Sequence, residues 1–346
     1  VPRTRLTSRR VRRSLFALLA ATALLLGAGP APAGAAAAAP TPSAPDEGGS
    51  KQLRAALEAA AKGHIEAKNR LDNSKRRQAA LTGQLKQLEV RLVELTAQVG
   101  EVAGQSYRMG RLTPVSMLLA SSDPDAFLQR AAELDMMAQR DSKRLHDLTE
   151  AKAQAAEAKV AIDIEVREQQ KQLAVLAKKK RDAEVALAKV SSGSGSGFSG
   201  GSSSAKPAPR NPDGSWPSES CSVNDPTPAD GCITPRTLHM LQQAQAAGYK
   251  RYASCHRSGG DGEHPKGRAC DFSAATGGFE DVSATGGDKA YGDSLASWAK
   301  NNASKLGIMY VIWYRQIWMP NTGWRAYSGG GSPAADHTNH VHISMY

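Results

Sequence analysis

The chain has 346 residues, with 44 Lys/Arg against 33 Asp/Glu, a length that suits two or three domains. Its formal charge of +11 is uneven: six arginines stand within residues 1–13, while residues 219–346 hold 11 basic and 11 acidic side chains. A nucleic-acid binder concentrates basic residues on a folded domain, so this distribution argues against a nucleic-acid partner.

Arg3, Arg5, Arg9, Arg10, Arg12 and Arg13 precede an apolar run over 15–26. Ala31–Pro32–Ala33 and Ala33–Gly34–Ala35 then offer small-residue cleavage sites. A basic flank, a short apolar core and such a site are the layout of a secretory signal peptide, here over 1–35. The apolar run is shorter than the ~20 residues of a spanning helix; an uncleaved N-terminal anchor is the other reading. The expected location is therefore secreted, extracellular or cell-wall associated. Residues 36–50, rich in Ala, Pro, Ser and Gly, read as disordered.

From residue 51 a helical pattern begins. Leu81, Leu85, Leu88, Leu92, Leu95, Val99 and Val102 recur at alternating steps of four and three, the seam of a coiled coil. A weaker series runs through Phe127, Ala131, Leu134, Ala138, Leu145, Leu148, Ala155, Ile162, Val166, Leu173 and Leu176, with Asp141, Lys152, Lys159 and Gln169 at seam positions. Gly110, Pro114 and Ser121–Ser122–Asp123–Pro124 interrupt the two. Ser122 or Asp123 caps the second helix and Pro124 suits its first turn. Residues 51–190 thus form a coiled-coil hairpin with an elbow near 110–124, each arm about 90 Å long. Such a rod is a spacer, a means of self-association or a docking platform for a cell-wall or membrane protein.

Residues 191–218 are Ser, Gly and Pro-rich and read as a flexible linker. In 219–346, Thr234–Pro235 opens a helix to about Ala246, a second helix spans about 286–303, and strands fall near 249–255, 267–274, 307–314, 315–318 and 341–344. The fold class is α+β: a small antiparallel-sheet domain preceded by a long all-α coiled-coil hairpin. All four cysteines lie in this domain. An even number in an exported domain points to disulfides, and of three connectivities the local one, Cys221–Cys232 with Cys255–Cys270, is expected.

The chemistry gathers in two groups, His264 to Asp271 and His337, His340, His342. A catalytic zinc site uses three protein ligands and leaves one position to water; His264, Asp271 and one histidine of the second group supply that set. His340 and His342 point to the same face of the last strand because side chains alternate with period two. One can bind Zn2+ while the other stands beside the bound water, able to move its proton or steady an oxyanion.

These groups resemble the metal motifs of the zinc D-alanyl-D-alanine carboxypeptidase and murein endopeptidase superfamily, whose members cleave peptidoglycan stem peptides or cross-links. The resemblance covers about 110 residues. It implies His264, Asp271 and His342 as ligands to Zn2+, with His340 on the catalytic side. His337 is similar to the extra histidine of the penicillin-insensitive endopeptidases. Ser254–Cys255–His256–Arg257 resembles the segment before the first ligand, which implies that Arg257 orients a substrate carboxylate or carbonyl. One departure stands out. The carboxypeptidases carry a glutamate base three residues before the last ligand, where this chain has Asn339. Either His340, helped by His337 or Asp336, serves as base, or peptidase activity is lost. The chain as a whole resembles actinobacterial secreted coiled-coil proteins of cell-wall hydrolase type. The hairpin separately resembles the coiled-coil regions of cell-wall hydrolases and their regulators, including the segments Tyr107–Arg108–Met109–Gly110 and Asp125–Ala126–Phe127–Leu128–Gln129–Arg130. The expected substrate is peptidoglycan peptide, and the alternative is a non-catalytic zinc-containing wall-binding or regulatory protein.

Overall fold

Ser50 opens the first helix by accepting a hydrogen bond from the Leu53 amide, and α1 runs Lys51–Met109. Asp123 caps the second in the same way, with Pro124 in its first turn, and α2 runs Pro124–Ala188. The computed structural model describes residues 49–110, 116, 118, 120, 123–189 and 193–346. The expected signal peptide, almost all of 36–50 and most of the elbow lie outside the described residues. Among the described residues no helix is long and apolar enough to cross a membrane.

The two helices pack on each other. Leu95, Leu148 and Ala151 form a buried cluster flanked by Leu92 and Val99. The first seam is as the spacing predicts, and the second only in part. Leu148 and Ala155 are buried where the spacing puts them, but Leu145 and Leu173 are each 54% exposed, Lys152 and Lys159 face outward, and Ala151 and Ala158 join the seam. Alanine wins there because its small side chain lets the helices approach. Nearer the base the seam turns polar: buried Ser74 donates to Glu165 (2.7 Å), and Gln169 donates to Gln78 (2.7 Å). A paired polar layer in an apolar seam fixes register at some cost in stability.

After the hairpin come β1 (Val223–Asn224) and β2 (Cys232–Ile233), a two-stranded ribbon, and α3 (Pro235–Ala246), capped by Thr234. The main sheet contains β3 (Ala253–Ser254), β4 (Ala269–Ser273), β5 (Ile308–Trp313), β6 (Gln316–Met319), β7 (Gly323–Ala326) and β8 (His340–Met345), with α4 (Gly286–Leu306) leading into β5. Its order is β3-β4-β8-β5-β6-β7, every pair antiparallel. Both disulfides have the local pairing, Cys221–Cys232 and Cys255–Cys270, which suits an oxidising, extracellular setting.

The sheet has two differently used faces. Val341, Ile343 and Met345 face α3 and α4 and join Met240, Leu241, Leu295, Trp298 and Trp313 in the main core. The other face carries His340, His342 and Ser344. A bulge between Ile308 and Tyr310 lets both Met309 and Tyr310 reach this second face while Ile308 stays in the main core. There Met309, Tyr310, Ile312, Ile317, Met319 and Tyr327 pack with Leu53, Leu57, Ala60 and Ala61 of α1 and Ala183, Ala186 and Leu187 of α2. The base of the hairpin is thus joined to the domain by an apolar layer.

The expected loose linker is instead docked along the domain over residues 193–217. Ser194 bridges Arg325 of β7, Phe198 meets Trp324 edge-on at 5.0 Å, and the Ala205 amide donates to Asn302 of α4 (2.8 Å). Arg210 lies over the Trp216 ring at 3.6 Å. Glycine here serves close approach rather than looseness: a Cβ on Gly201 would sit 2.2 Å from the Ser294 carbonyl oxygen of α4.

Candidate metal centre

Adjacent strands bring the two sequence groups together. Asp271 of β4 lies opposite His342 of β8, Ser273 opposite His340, and Ile312 of β5 flanks His342 on its other side. His264 arrives from the turn before β4. That turn is closed by the Gly267 amide donating to the His264 carbonyl (2.9 Å). Gly267 has φ +68° and lies against the first disulfide, so a Cβ would meet Cys221 Sγ at 2.6 Å. The second disulfide ties Cys255 to Cys270 beside Asp271.

Donor atoms of His264, Asp271 and His342 all lie within 4.8 Å of one another, and all three residues are buried. His342 Nδ1 is 2.8 Å from Asp271 Oδ1, His264 Nε2 is 3.1 Å from Oδ2, and the two imidazole nitrogens are 3.3 Å apart. The far nitrogen of each ring is engaged: His264 Nδ1 with the Cys255 carbonyl, His342 Nε2 with Ser344 Oγ (2.7 Å). Such outer partners hold the rings of metal ligands in orientation. A carbonyl only accepts, so His264 carries its proton on Nδ1. In the neutral ring Nε2 then presents a lone pair to a carboxylate oxygen, an arrangement that calls for a cation or a proton between them.

His340 Nε2 comes within 3.6 Å of Asp271 Oδ1. Asn339 donates from Nδ2 to the Glu280 carbonyl, so its Oδ1 is the acceptor for His340 Nδ1 (2.7 Å). That leaves His340 Nε2 as a lone pair with no hydrogen-bond partner. His337 repeats the pattern, Nδ1 to the Ala335 carbonyl (3.0 Å) and Nε2 without a partner. It reaches the site through a left-handed backbone, φ +52°, a conformation costly for a non-glycine residue. The His337 and His340 rings lie 4.7 Å apart.

Burial alone would raise the Asp271 carboxyl, but His264 and His340 beside it hold it well below the usual carboxylate range. Burial lowers His264, yet Asp271 outweighs this and the net direction is up. Burial, with neighbouring imidazoles, drives His337 well down and His340 to about 4. One carboxylate, the imidazoles of His264 and His342 and two unpartnered imidazole nitrogens in a buried site could hold a cation with a bound polar group. Unpaired buried polar atoms of this kind are otherwise costly.

The remaining candidates fall into place around this centre. Arg257 Nη1 stands 3.8 Å from Asp271 Oδ2. Asp336, considered as an accessory base, instead accepts from the Gly329 amide (2.9 Å) and Arg315 Nε (2.9 Å) and clamps the loop before β8. Among the tryptophans, Trp313 lies in the main core and donates to Asp293 (2.8 Å), and Trp324 meets Phe198 edge-on. Sequence reasoning missed Ser344, although the period-two alternation 340, 342, 344 carries it. It also missed Tyr310, stacked on His342 at 5.6 Å and 13°, and Tyr327, edge-on to His337 at 6.1 Å.

Residues 229–338 match the family model of the VldE C-terminal domain. The VldE match takes in His264, Asp271 and His337 and stops short of His340 and His342. No curated protein and no solved structure matches the chain.

Proposed function

We propose that the chain is a secreted zinc metallopeptidase acting on peptidoglycan stem peptides or cross-links, with His264, Asp271 and His342 as the metal ligands. The observation that carries this reading is the pair of buried imidazoles, His340 and His337, whose Nε2 atoms have no partner beside the three-residue donor group. Bound zinc would acidify a water and polarise the scissile carbonyl.

The chain's own groups account for the rest. His340 is neutral at pH 7, its pKa lowered to about 4 by burial, and offers Nε2 as a proton acceptor. Asn339 therefore does not stand idle where a glutamate is expected. It fixes the tautomer that leaves His340 able to accept, so the proton-handling role moves one residue along the chain. His337 adds a second uncharged acceptor, and Arg257, beside Asp271 at 3.8 Å, would orient a carboxylate or carbonyl of the substrate, since a planar guanidinium does this well.

The alternative, a zinc-containing wall-binding or regulatory protein without turnover, is favoured by one observation: His337, His340 and His342 are each no more than 1% exposed. Metal content of the purified chain by elemental analysis, with product analysis from peptidoglycan for wild type and His340→Ala, separates the two. Near-stoichiometric zinc with cleavage lost in His340→Ala supports the peptidase. Zinc with no cleavage by wild type rejects turnover, and turnover insensitive to metal removal rejects the zinc mechanism.

A further inference from the structure

Four distant stretches of chain meet at a second cleft, of about 540 Å³. Helix α1 supplies Lys68, Asp72 and Arg76, the docked segment before the domain supplies Arg210, α4 supplies Lys300, and β6 supplies Trp318. Trp318 packs against the main core, so the cleft lies on the side of the sheet opposite the metal centre. None of the four site histidines lines it, nor does Asp271. Its size suits a small-molecule ligand.

The charge around this cleft is unbalanced. Asp72 is the one carboxylate among its lining residues, and Lys68 takes it at 3.2 Å. Arg76, Arg210 and Lys300 enter no ion pair among the described residues. Carbonyls hold the two arginines instead. A tight turn over 211–214, with Gly214 at φ +81°, presents the Asp213 carbonyl to Arg76 Nη2 (2.9 Å) and the Gly214 carbonyl to Arg210 Nη1 (2.8 Å). The Ser304 carbonyl, near the end of α4, accepts from Arg210 Nη2 (2.6 Å). The Asp213 carboxylate is turned to Ser215 (2.6 Å). Carbonyl partners fix a guanidinium without cancelling its charge, and a guanidinium has five donors to place. Burial lowers the Arg210 pKa, with Asp72 opposing and Arg76 adding to the fall. His64 also lines the cleft, and its Nδ1 is buried without a hydrogen-bond partner, a costly state unless something supplies one. Trp318 is half-buried, and no ring or cation stacks on it among the described residues.

We infer that this cleft is a second binding site, for a saccharide carrying a phosphate or a carboxylate, with Trp318 against the sugar ring and Arg76, Arg210 and Lys300 around the acid group. An indole face accepts the C–H face of a sugar ring, and guanidinium donors match the paired oxygens of phosphate and carboxylate alike. A bare anion would leave the apolar wall of Ile65, Ala303 and Pro320 uncovered. A neutral sugar would leave three cations without a counter-charge. The inference does not depend on the peptidase reading, since no residue of the metal centre takes part.

Isothermal titration calorimetry on the full chain tests it, with glucose 6-phosphate, glucuronate, glucose, inorganic phosphate and adenosine monophosphate as probes. At least one acid sugar should bind about tenfold or more tightly than glucose or inorganic phosphate, the scale of one hydrogen bond to a charged group. Tighter binding of glucose 6-phosphate assigns the acid as phosphate, and tighter binding of glucuronate assigns it as carboxylate. Lys300→Glu and Trp318→Ala should each weaken that binding about tenfold, and added salt should weaken it in wild type. Lys300 is exposed, so reversing its charge leaves the core alone; near-ultraviolet circular dichroism checks the fold of Trp318→Ala. Lys250→Glu, which reverses an exposed lysine outside the cleft, should leave affinity within about twofold. No binding of either acid sugar at millimolar concentration would overturn the inference. So would inorganic phosphate binding as tightly as the acid sugars, unchanged affinity in Lys300→Glu, or an equal loss in Lys250→Glu. Tighter binding of adenosine monophosphate than of either acid sugar would overturn it in favour of a nucleotide.

Discussion

Ser344→Ala tests whether His342 is a ligand by removing a group that would never touch the metal. Ser344 Oγ lies 2.7 Å from His342 Nε2, the nitrogen facing away from Asp271. Loss of such an outer partner typically weakens metal affinity about 10–100-fold, equivalent to about 1.4–2.8 kcal/mol. In metal-free protein the same change leaves Nε2 buried without a partner, at a cost of about 1–3 kcal/mol. Ser273→Ala is the matched control. It lies on the same face, opposite His340, but its hydroxyl donates to the Ala275 and Gly278 carbonyls (2.9 and 2.6 Å) rather than to a site imidazole. Zinc affinity measured by competition with a chromophoric chelator should fall in Ser344→Ala and hold within about threefold in Ser273→Ala, a difference of about 0.7 kcal/mol. Wild-type affinity in Ser344→Ala would refute His342 as a ligand. An equal fall in both variants would show that the effect is loss of fold rather than of the outer partner.

Asn339→Ala should keep zinc, because Asn339 orients a non-ligand, but leave His340 Nδ1 and the Glu280 carbonyl without partners. Product formation should drop about 10²-fold or more, the span of a positioned acid–base group, with zinc content unchanged by elemental analysis. Replacing Cys255 and Cys270 with alanine opens a 15-residue separation that holds His264 to β4; urea unfolding should show a loss of about 3 kcal/mol, accompanied by weaker zinc binding. In the metal-free chain the depressed His340, at about 4, binds no proton until well below the 6.5 of the unfolded state. The unfolded chain thus takes up more protons as pH falls, and this group's share of stability, at most about 3 kcal/mol, is lost between pH 6.5 and 4. His337 acts in the same direction, while Glu263, raised to about 7 by burial, takes up its proton across much of the same window and acts against it. The check is therefore the difference between wild type and His340→Asn: the variant's urea midpoint should fall less between pH 6.5 and 4, and an equal fall in both would contradict the lowered His340. Gly201→Ala places a Cβ 2.2 Å from the Ser294 carbonyl oxygen and should detach residues near 201 from α4, read as faster amide exchange there; unchanged exchange would mean the segment is not held.

How much of this was legible depended on whether a side chain's task is set locally. Thr234 before Pro235, Gly248 after α3 and the apolar stretch of β5 act through near neighbours, and the structure follows them closely. The grouping of His264, Asp271 and His342 was readable for a similar reason: His264 and Asp271 share one turn and strand, and His340 and His342 share one face. Distant contacts were not. The Ser/Gly stretch looked loose because composition reports chain entropy, whereas Gly197 and Gly201 matter for how near they let the backbone come to Trp324 and α4. Glu58 lies 208 residues before its partner Lys266, and nothing in a helical repeat marks it as a contact of the metal loop. The local departures in α2, Leu145 and Leu173 outside and Ala151 and Ala158 inside, have a different cause, since alanine is a weak hydrophobic signal yet packs helices closely.

The chemistry of the centre turns on which cation stands between His264 and Asp271. With its Nδ1 proton given to a carbonyl, a neutral His264 aims a lone pair at a carboxylate oxygen 3.1 Å away. A proton on Nε2 relieves this, as the raised pKa of His264 reflects; a divalent ion relieves it too, and draws in His342 Nδ1 as well. Proton and metal therefore compete for the same space, and binding must release the proton. The unpartnered nitrogens of His340 and His337 discriminate between the two occupants. A proton shared by His264 and Asp271 does nothing for those two lone pairs, whereas a metal carrying a polar ligand would place a hydrogen-bond donor beside them. A metal would thus serve the three candidate donors and the two unpartnered nitrogens together, where a proton would serve only His264 and Asp271.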